Sequence, residues 1–143
     1  MREILFRGKR IDNGEWTTGD LIQLDFQTRI ADQNLWASEL INNQLTLDCY
    51  DIIPETVGQF TGLTDKNGVK IFEGDIIKTN SPRTSVTLIV TFENGAFCLR
   101  IKPLKRFKDA VTFRDSLSQG IDNCIRPIYE VIGNIHDNPK LLN

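Results

Sequence analysis

Between Ser85 and Glu93 the chain reads S-V-T-L-I-V-T-F-E, so that Val86, Leu88, Val90 and Phe92 alternate with Thr87, Ile89, Thr91 and Glu93. A period of two puts the first set on one face of a strand and leaves a mixed set on the other. Ala96 to Ile101 (A-F-C-L-R-I) is equally rich in strand formers, and Asn94-Gly95 between the two runs suits the two φ > 0 positions of a type I′ turn. Together they predict a hairpin of core sheet. Asn-Gly recurs at Asn13-Gly14 and Asn67-Gly68 and predicts two further hairpins. Short apolar runs add strands at Val69 to Phe72, Ile76 to Thr79 and Tyr129 to Ile135, the last pairing with a partner far away in sequence.

Helical patterning is sparse. Lys105 to Gln119 places Phe107, Ala110, Val111 and Leu117 on one side at helical spacing, with Gly120 as a natural stop, yet Val111-Thr112-Phe113 fits a short strand as well. A helical turn is predicted at Ala37 to Asn42, and Pro54 suits the first position of another. None of these changes a mainly β class, α+β at most. The expected organisation is a hairpin-rich N-terminal lobe over residues 1–53 and a second part over 54–143, sharing one cooperative unit because 143 residues is the size of a single domain.

The densest turn chemistry lies in G-L-T-D-K-N-G-V-K-I-F-E-G-D-I-I-K, residues 62–78. An EF-hand calcium loop counted from Asp65 has Val69 at its fifth position and Ile76 at its twelfth, where oxygen ligands are required. A phosphate-binding P-loop needs G-K-[ST], and Gly68 and Gly74 are followed by Val69 and Asp75. The reading that remains is structural, with Asn67-Gly68 and Glu73-Gly74-Asp75 turning the chain and the aspartates capping backbone N–H groups. The plan of Asn-Gly, one aromatic and Gly-Asp recurs over residues 12–22, where Trp16 stands for Phe72 and Gly19-Asp20 for Gly74-Asp75. It is read as a repeated hairpin-plus-turn device.

Charge and composition narrow the function. A net charge of -2 and a pI near 5.4 provide no broad positive field for non-specific nucleic-acid binding. The opening residues carry three consecutive apolar side chains between charges, too few for a signal peptide, so a cytoplasmic protein is expected. Cys49, Cys98 and Cys124 are odd in number and widely spaced, which argues for reduced thiols over a disulfide framework or a thiolate metal site. His136 is the sole histidine and lies beside Asp137-Asn138-Pro139, a strand exit. No catalytic or metal-binding constellation is assembled, and no cofactor is expected.

The one electropositive concentration is R-I-K-P-L-K-R-F-K, residues 100–108, with five cations in nine residues. Arg100, Lys102, Lys105, Arg106, Phe107 and Lys108 are therefore the candidate surface for a partner or for nucleic acid, Phe107 being able to stack on a base. A solvated strand exit, partly neutralised by Asp109 and Asp115, is the plainer alternative.

Three blocks carry a family resemblance: M-R-E-I-L-F-R-G at residues 1–8, P-E-T-V-G-Q-F-T-G-L-T-D-K-N-G-V-K-I-F-E-G-D-I-I at 54–77, and Y-E-V-I-G-N-I-H-D-N-P-K-L-L at 129–142. They resemble the YopX-like family of small proteins encoded by phages and prophages. The resemblance implies a mainly β fold with a partly open SH3-like barrel in the C-terminal part, one or two short helices and no established enzymatic activity. The expectation is a non-catalytic accessory protein acting on a host or phage protein in the cytoplasm of the bacterial host, with no membrane partner. A nucleic-acid-binding small barrel using residues 100–108 is the alternative. The long apolar strand from Ser85 and the tail Leu141-Leu142 further suggest a homo-oligomer that covers strand edges.

Overall fold

The computed structural model describes residues 1–32, 40–41, 44–45, 49–79, 85–101, 111–112 and 129–142. The fold is mainly β: two antiparallel sheets and a small hairpin, joined by the 3-10 turns Pro54–Thr56 and Pro139–Leu142. The chain divides into two compact units, Met1–Phe60 and Thr61–Asn143.

The first unit contains β1 (Phe6–Lys9), β2 (Trp16–Leu24), β3 (Gln27–Asp32), β4 (Leu40–Ile41), β5 (Gln44–Leu45), β6 (Cys49–Asp51) and the start of β7 (Gly58–Thr64). Its sheet runs β6-β3-β2-β1-β7, while β4 and β5 pair with each other. Ile30 and Ile52 are 0% and 1% exposed and anchor its core. Pro54 opens the 3-10 turn as its fixed φ allows, and the buried Thr56 hydroxyl donates to the Ile53 carbonyl at 2.7 Å while accepting the Lys9 N–H at 2.8 Å. Gly19 stands inside β2, opposite Phe6 and Asp32, not in a turn. A Cβ there would lie 1.7 Å from the Ala31 carbonyl oxygen, so the glycine serves a close strand approach. The expected equivalence between Gly19-Asp20 and Gly74-Asp75 is therefore one of letters and not of structure.

The second unit holds the rest of β7 with its neighbour β8 (Lys70–Phe72), and a five-stranded sheet. That sheet comprises β9 (Asp75–Thr79), β10 (Thr87–Glu93), β11 (Ala96–Ile101), β12 (Val111–Thr112) and β13 (Tyr129–Asn134), in the order β12-β11-β10-β9-β13. Ile71, Ile77, Leu88, Val90, Leu99 and Tyr129 form its buried core, each worth about 1.5–3 kcal/mol of apolar burial. The expected strands are all present within two residues at their ends, and β13 makes its distant pairing with β9. Strand β10, proposed from sequence as an uncovered edge, is interior between β9 and β11. Val111–Thr112 is a strand against Leu99 and Cys98, so no continuous helix crosses residues 105–119; the other residues of that segment lie outside those described. Leu40–Ile41 is likewise a strand where a helical turn was expected. Cys49 and Cys98 are free thiols, and Cys124 lies outside the described residues.

Within residues 62–78 the aspartates organise the turns. Asp65 is 4% exposed; its Oδ1 accepts the N–H groups of Asn67 (2.8 Å) and Val69 (2.9 Å), and its Oδ2 accepts that of Val131 (3.0 Å). The neighbouring Lys66 N–H donates to the Tyr129 carbonyl at 2.9 Å and its Nζ lies 2.6 Å from Glu130 Oε2, so this loop covers part of the β13 edge. Asp75 is 1% exposed and accepts the Phe72 N–H at 2.8 Å, closing the turn at Gly74, whose φ is +82°. Of the three Asn-Gly turns only Asn94-Gly95 has both φ values positive, +50° and +79°. At the other two sites glycine alone is left-handed, because Asp65 Oδ1 and Asn13 Oδ1 hold longer loops by accepting backbone N–H groups two residues on.

Candidate functional site

The candidate surface is the tip of the β2–β3 hairpin. Register pairs Leu24 with Gln27 and leaves Asp25-Phe26 as a two-residue loop. Favoured loops of this length are types I′ and II′, which need one or two residues at φ > 0, commonly Asn or Gly. Neither Asp25 nor Phe26 has a positive φ, so the loop lacks the twist that matches paired strands. Phe26 is 97% exposed and Leu24 59%. Gln23 to Gln27 line a concavity of about 560 Å³ beside this tip.

Alternation along β2 places Trp16, Thr18, Asp20, Ile22 and Leu24 on one face, with Arg29 opposite Ile22 and Gln27 opposite Leu24. The base of that face is fixed by cations on an aromatic ring: Arg7 Cζ stands 4.9 Å and Lys9 Nζ 5.7 Å from the Trp16 centroid. Midway, Arg29 Nε donates to Asp51 Oδ1 at 2.7 Å, and the hydrogen bond and charge of Asp51 raise the guanidinium pKa. The face is thus held by charged pairs at its root and ends in two exposed apolar side chains with Asp25 between them.

The basic run proposed from sequence is represented here by Arg100 alone; Lys102, Lys105, Arg106, Phe107 and Lys108 lie outside the described residues. Arg100 sits on β11 and forms a two-pronged salt bridge across the hairpin to Glu93 on β10. The Arg100 hydrogen bonds, then the Thr91 hydroxyl at 2.9 Å, lower the Glu93 pKa, and the Arg100 pKa is raised in turn. A guanidinium engaged on both carboxylate oxygens has fewer N–H donors left for a phosphate. Asp65 has a lowered pKa for a different reason: burial pushes it up, but the N–H groups of Val131, Val69 and Asn67, with the charge of Lys66, outweigh that.

His136 follows β13 in a turn where its backbone N–H donates to Asn134 Oδ1 at 3.0 Å. Among the described residues, no three or more His, Cys, Asp or Glu side chains gather as metal ligands, and no helix is long and apolar enough to cross a membrane. The hairpin tip escaped sequence reading because Asp25-Phe26 carries none of the Gly, Asn or Pro punctuation that marks turns. The available signal was a phenylalanine set between two strand-like runs.

A model of the YopX protein family matches residues 5–143. Among solved structures, the chain is similar to protein EF1440 from Enterococcus faecalis, known from a crystal structure, at 26% identity over 100% of both chains with a TM-score of 0.65. No curated protein matches the chain.

Proposed function

Since the chain belongs to the YopX protein family, we propose that it is a non-catalytic phage or prophage accessory protein that binds another protein through the β2–β3 tip. The observation that carries this reading is Phe26, an aromatic side chain left 97% exposed in a loop where its backbone gains nothing from it. Rigid aromatic anchors entering a partner's pocket dominate protein interfaces, and truncating one commonly costs about 2 kcal/mol or more. Asp25 between Leu24 and Phe26, with Asp20 exposed on the Leu24 face, specifies the partner: an apolar pocket with cationic groups at its rim. The same carboxylates oppose a nucleic-acid backbone or an anionic lipid surface.

The test is site-specific photo-crosslinking. A photoreactive phenylalanine analogue at position 26, used in host cells with nuclease treatment, should trap one predominant protein, and Phe26→Ala should no longer co-purify it. Equal recovery of that protein by Phe26→Ala overturns the tip as the contact surface. Capture abolished by nuclease, and by alanines at Arg100, Lys102, Lys105, Arg106 and Lys108, would establish the nucleic-acid alternative instead.

The proposal includes an SH3-like, partly open barrel for the second unit, a cytoplasmic location in the bacterial host and a symmetric homodimer. The dimer rests on a narrower base than the sequence suggested, since β10 is interior and Leu141, 42% exposed, remains. A light-scattering mass near 16.3 kDa at all concentrations overturns it.

A further inference from the structure

We propose that Asn94 is a modification site, the position at which this chain deamidates. In an Asn-Gly pair the glycine backbone nitrogen attacks the asparagine side-chain carbonyl carbon. The new C–N bond forms as the side-chain amine leaves as ammonia, giving a succinimide. Water then opens the ring at one of its two carbonyls, to aspartate or to isoaspartate. Glycine favours the attack because no Cβ crowds the nitrogen. All three Asn-Gly pairs are exposed, at positions 13–14, 67–68 and 94–95, so solvent access does not separate them.

Hydrogen bonding does. Asn13 is held at both ends of its amide: Oδ1 accepts the Glu15 N–H at 2.9 Å and Nδ2 donates to Glu15 Oε2 at 3.0 Å. The Gly14 nitrogen is occupied as well, donating to the Arg10 carbonyl at 3.0 Å. At the second pair the Gly68 N–H donates to the Asp65 carbonyl at 3.0 Å, and the Asn67 N–H to Asp65 Oδ1 at 2.8 Å. At the third, neither the Asn94 side chain nor the Gly95 N–H has a hydrogen bond among the described residues. Attack at Asn13 or Asn67 must first break bonds that Asn94-Gly95 does not have.

The products differ in consequence. Aspartate tolerates the left-handed φ of +50° and keeps the turn, adding a charge beside the Glu93–Arg100 pair. Isoaspartate lengthens the main chain by one carbon inside a loop closed by Glu93 and Ala96. The next cross-strand pair is Phe92 with Phe97, whose rings meet edge to face at 5.1 Å, and it takes the resulting shift.

The test is to age the purified full chain at mildly alkaline pH and quantify deamidated and isoaspartyl peptides by mass spectrometry. Position 94 should convert faster than positions 13 and 67 by roughly 5-fold or more, the factor set by one retained hydrogen bond. In urea, where the folded bonds are gone, the three rates should converge. Faster conversion at 13 or 67 overturns the proposal, and the same ranking in urea overturns its structural cause.

Discussion

The β2–β3 and β10–β11 hairpins both close through two residues, and they solve that problem in opposite ways. Asn94-Gly95 adopts positive φ at both positions, the type I′ requirement, and brings Phe92 against Phe97 next to the tip. Asp25-Phe26 adopts it at neither, and puts its aromatic ring into solvent. One tip is built from residues its backbone demands. The other carries residues that folding does not ask for, and consistency between local sequence and structure is broken most often where function requires it. The difference separates scaffold from contact surface more sharply than charge does, since Arg100, the described member of the basic run, is consumed by a structural ion pair.

The comparison predicts which measurement each tip controls. Phe26→Ala should weaken binding of the crosslinked partner by about 2 kcal/mol or more, roughly 30-fold, while leaving the melting temperature unchanged, because an exposed ring contributes no packing. A matching loss of thermal stability would return Phe26 to the scaffold. Gly95→Val should do the reverse. A β-branched residue at φ +79° costs about 1–3 kcal/mol of stability, read as a lower melting temperature, with partner affinity retained in the folded fraction. If Gly95→Val proves neutral, the β10–β11 tip is not maintained by turn chemistry.

The Asp65 loop extends the scaffold side of the comparison to pH. Folding holds this carboxyl below its ordinary value of 3.8, so the unfolded chain takes up the proton first on acidification. The stabilisation is therefore complete above about pH 4 and is lost as pH falls through the folded value. Asp65→Asn should lower stability by about 1 kcal/mol at neutral pH, since an amide presents one acceptor oxygen where the carboxylate serves three N–H groups. Acid titrations of stability for the two proteins should then approach each other below about pH 4. Parallel curves across that range would show that Asp65 does not supply the linkage.

How far the structure was readable follows the same division. Strands β10 and β11 could be read because alternation and β-branched content act locally, and residues 62–78 because Asp and Gly signal turns through their own backbone chemistry. The two Asn-Gly loops at 13–14 and 67–68 were misassigned as I′ turns because side-chain acceptors one or two residues upstream claimed the backbone N–H groups first. Gly19 was misread because its reason for being glycine is the Ala31 carbonyl, on a neighbouring strand that no local pattern announces. Val111–Thr112 was ambiguous because its two residues take their state from pairing with Leu99 and Cys98. The β2–β3 tip left almost no trace, since a contact surface answers to a partner's chemistry and breaks the local rules used to find turns.

Exchanging the two solutions gives the smallest effect and the most direct test. Asp25→Asn combined with Phe26→Gly installs at the first tip the pair that closes the second. If the β2–β3 loop is compromised for contact, Asn-Gly lets it take up the twist of its flanking strands, and stability should rise by about 0.5 kcal/mol. The gain is small because glycine also frees the unfolded chain, which offsets part of the improved turn. Partner binding should be lost in the same variant, so that one exchange moves stability and affinity in opposite directions. Chemical denaturation at constant m-value gives the first quantity and titration with the crosslinked partner the second. A double variant that is less stable than the native chain would mean that Asp25-Phe26 is the loop's own structural optimum, and the contrast between the two hairpins would then carry no functional meaning.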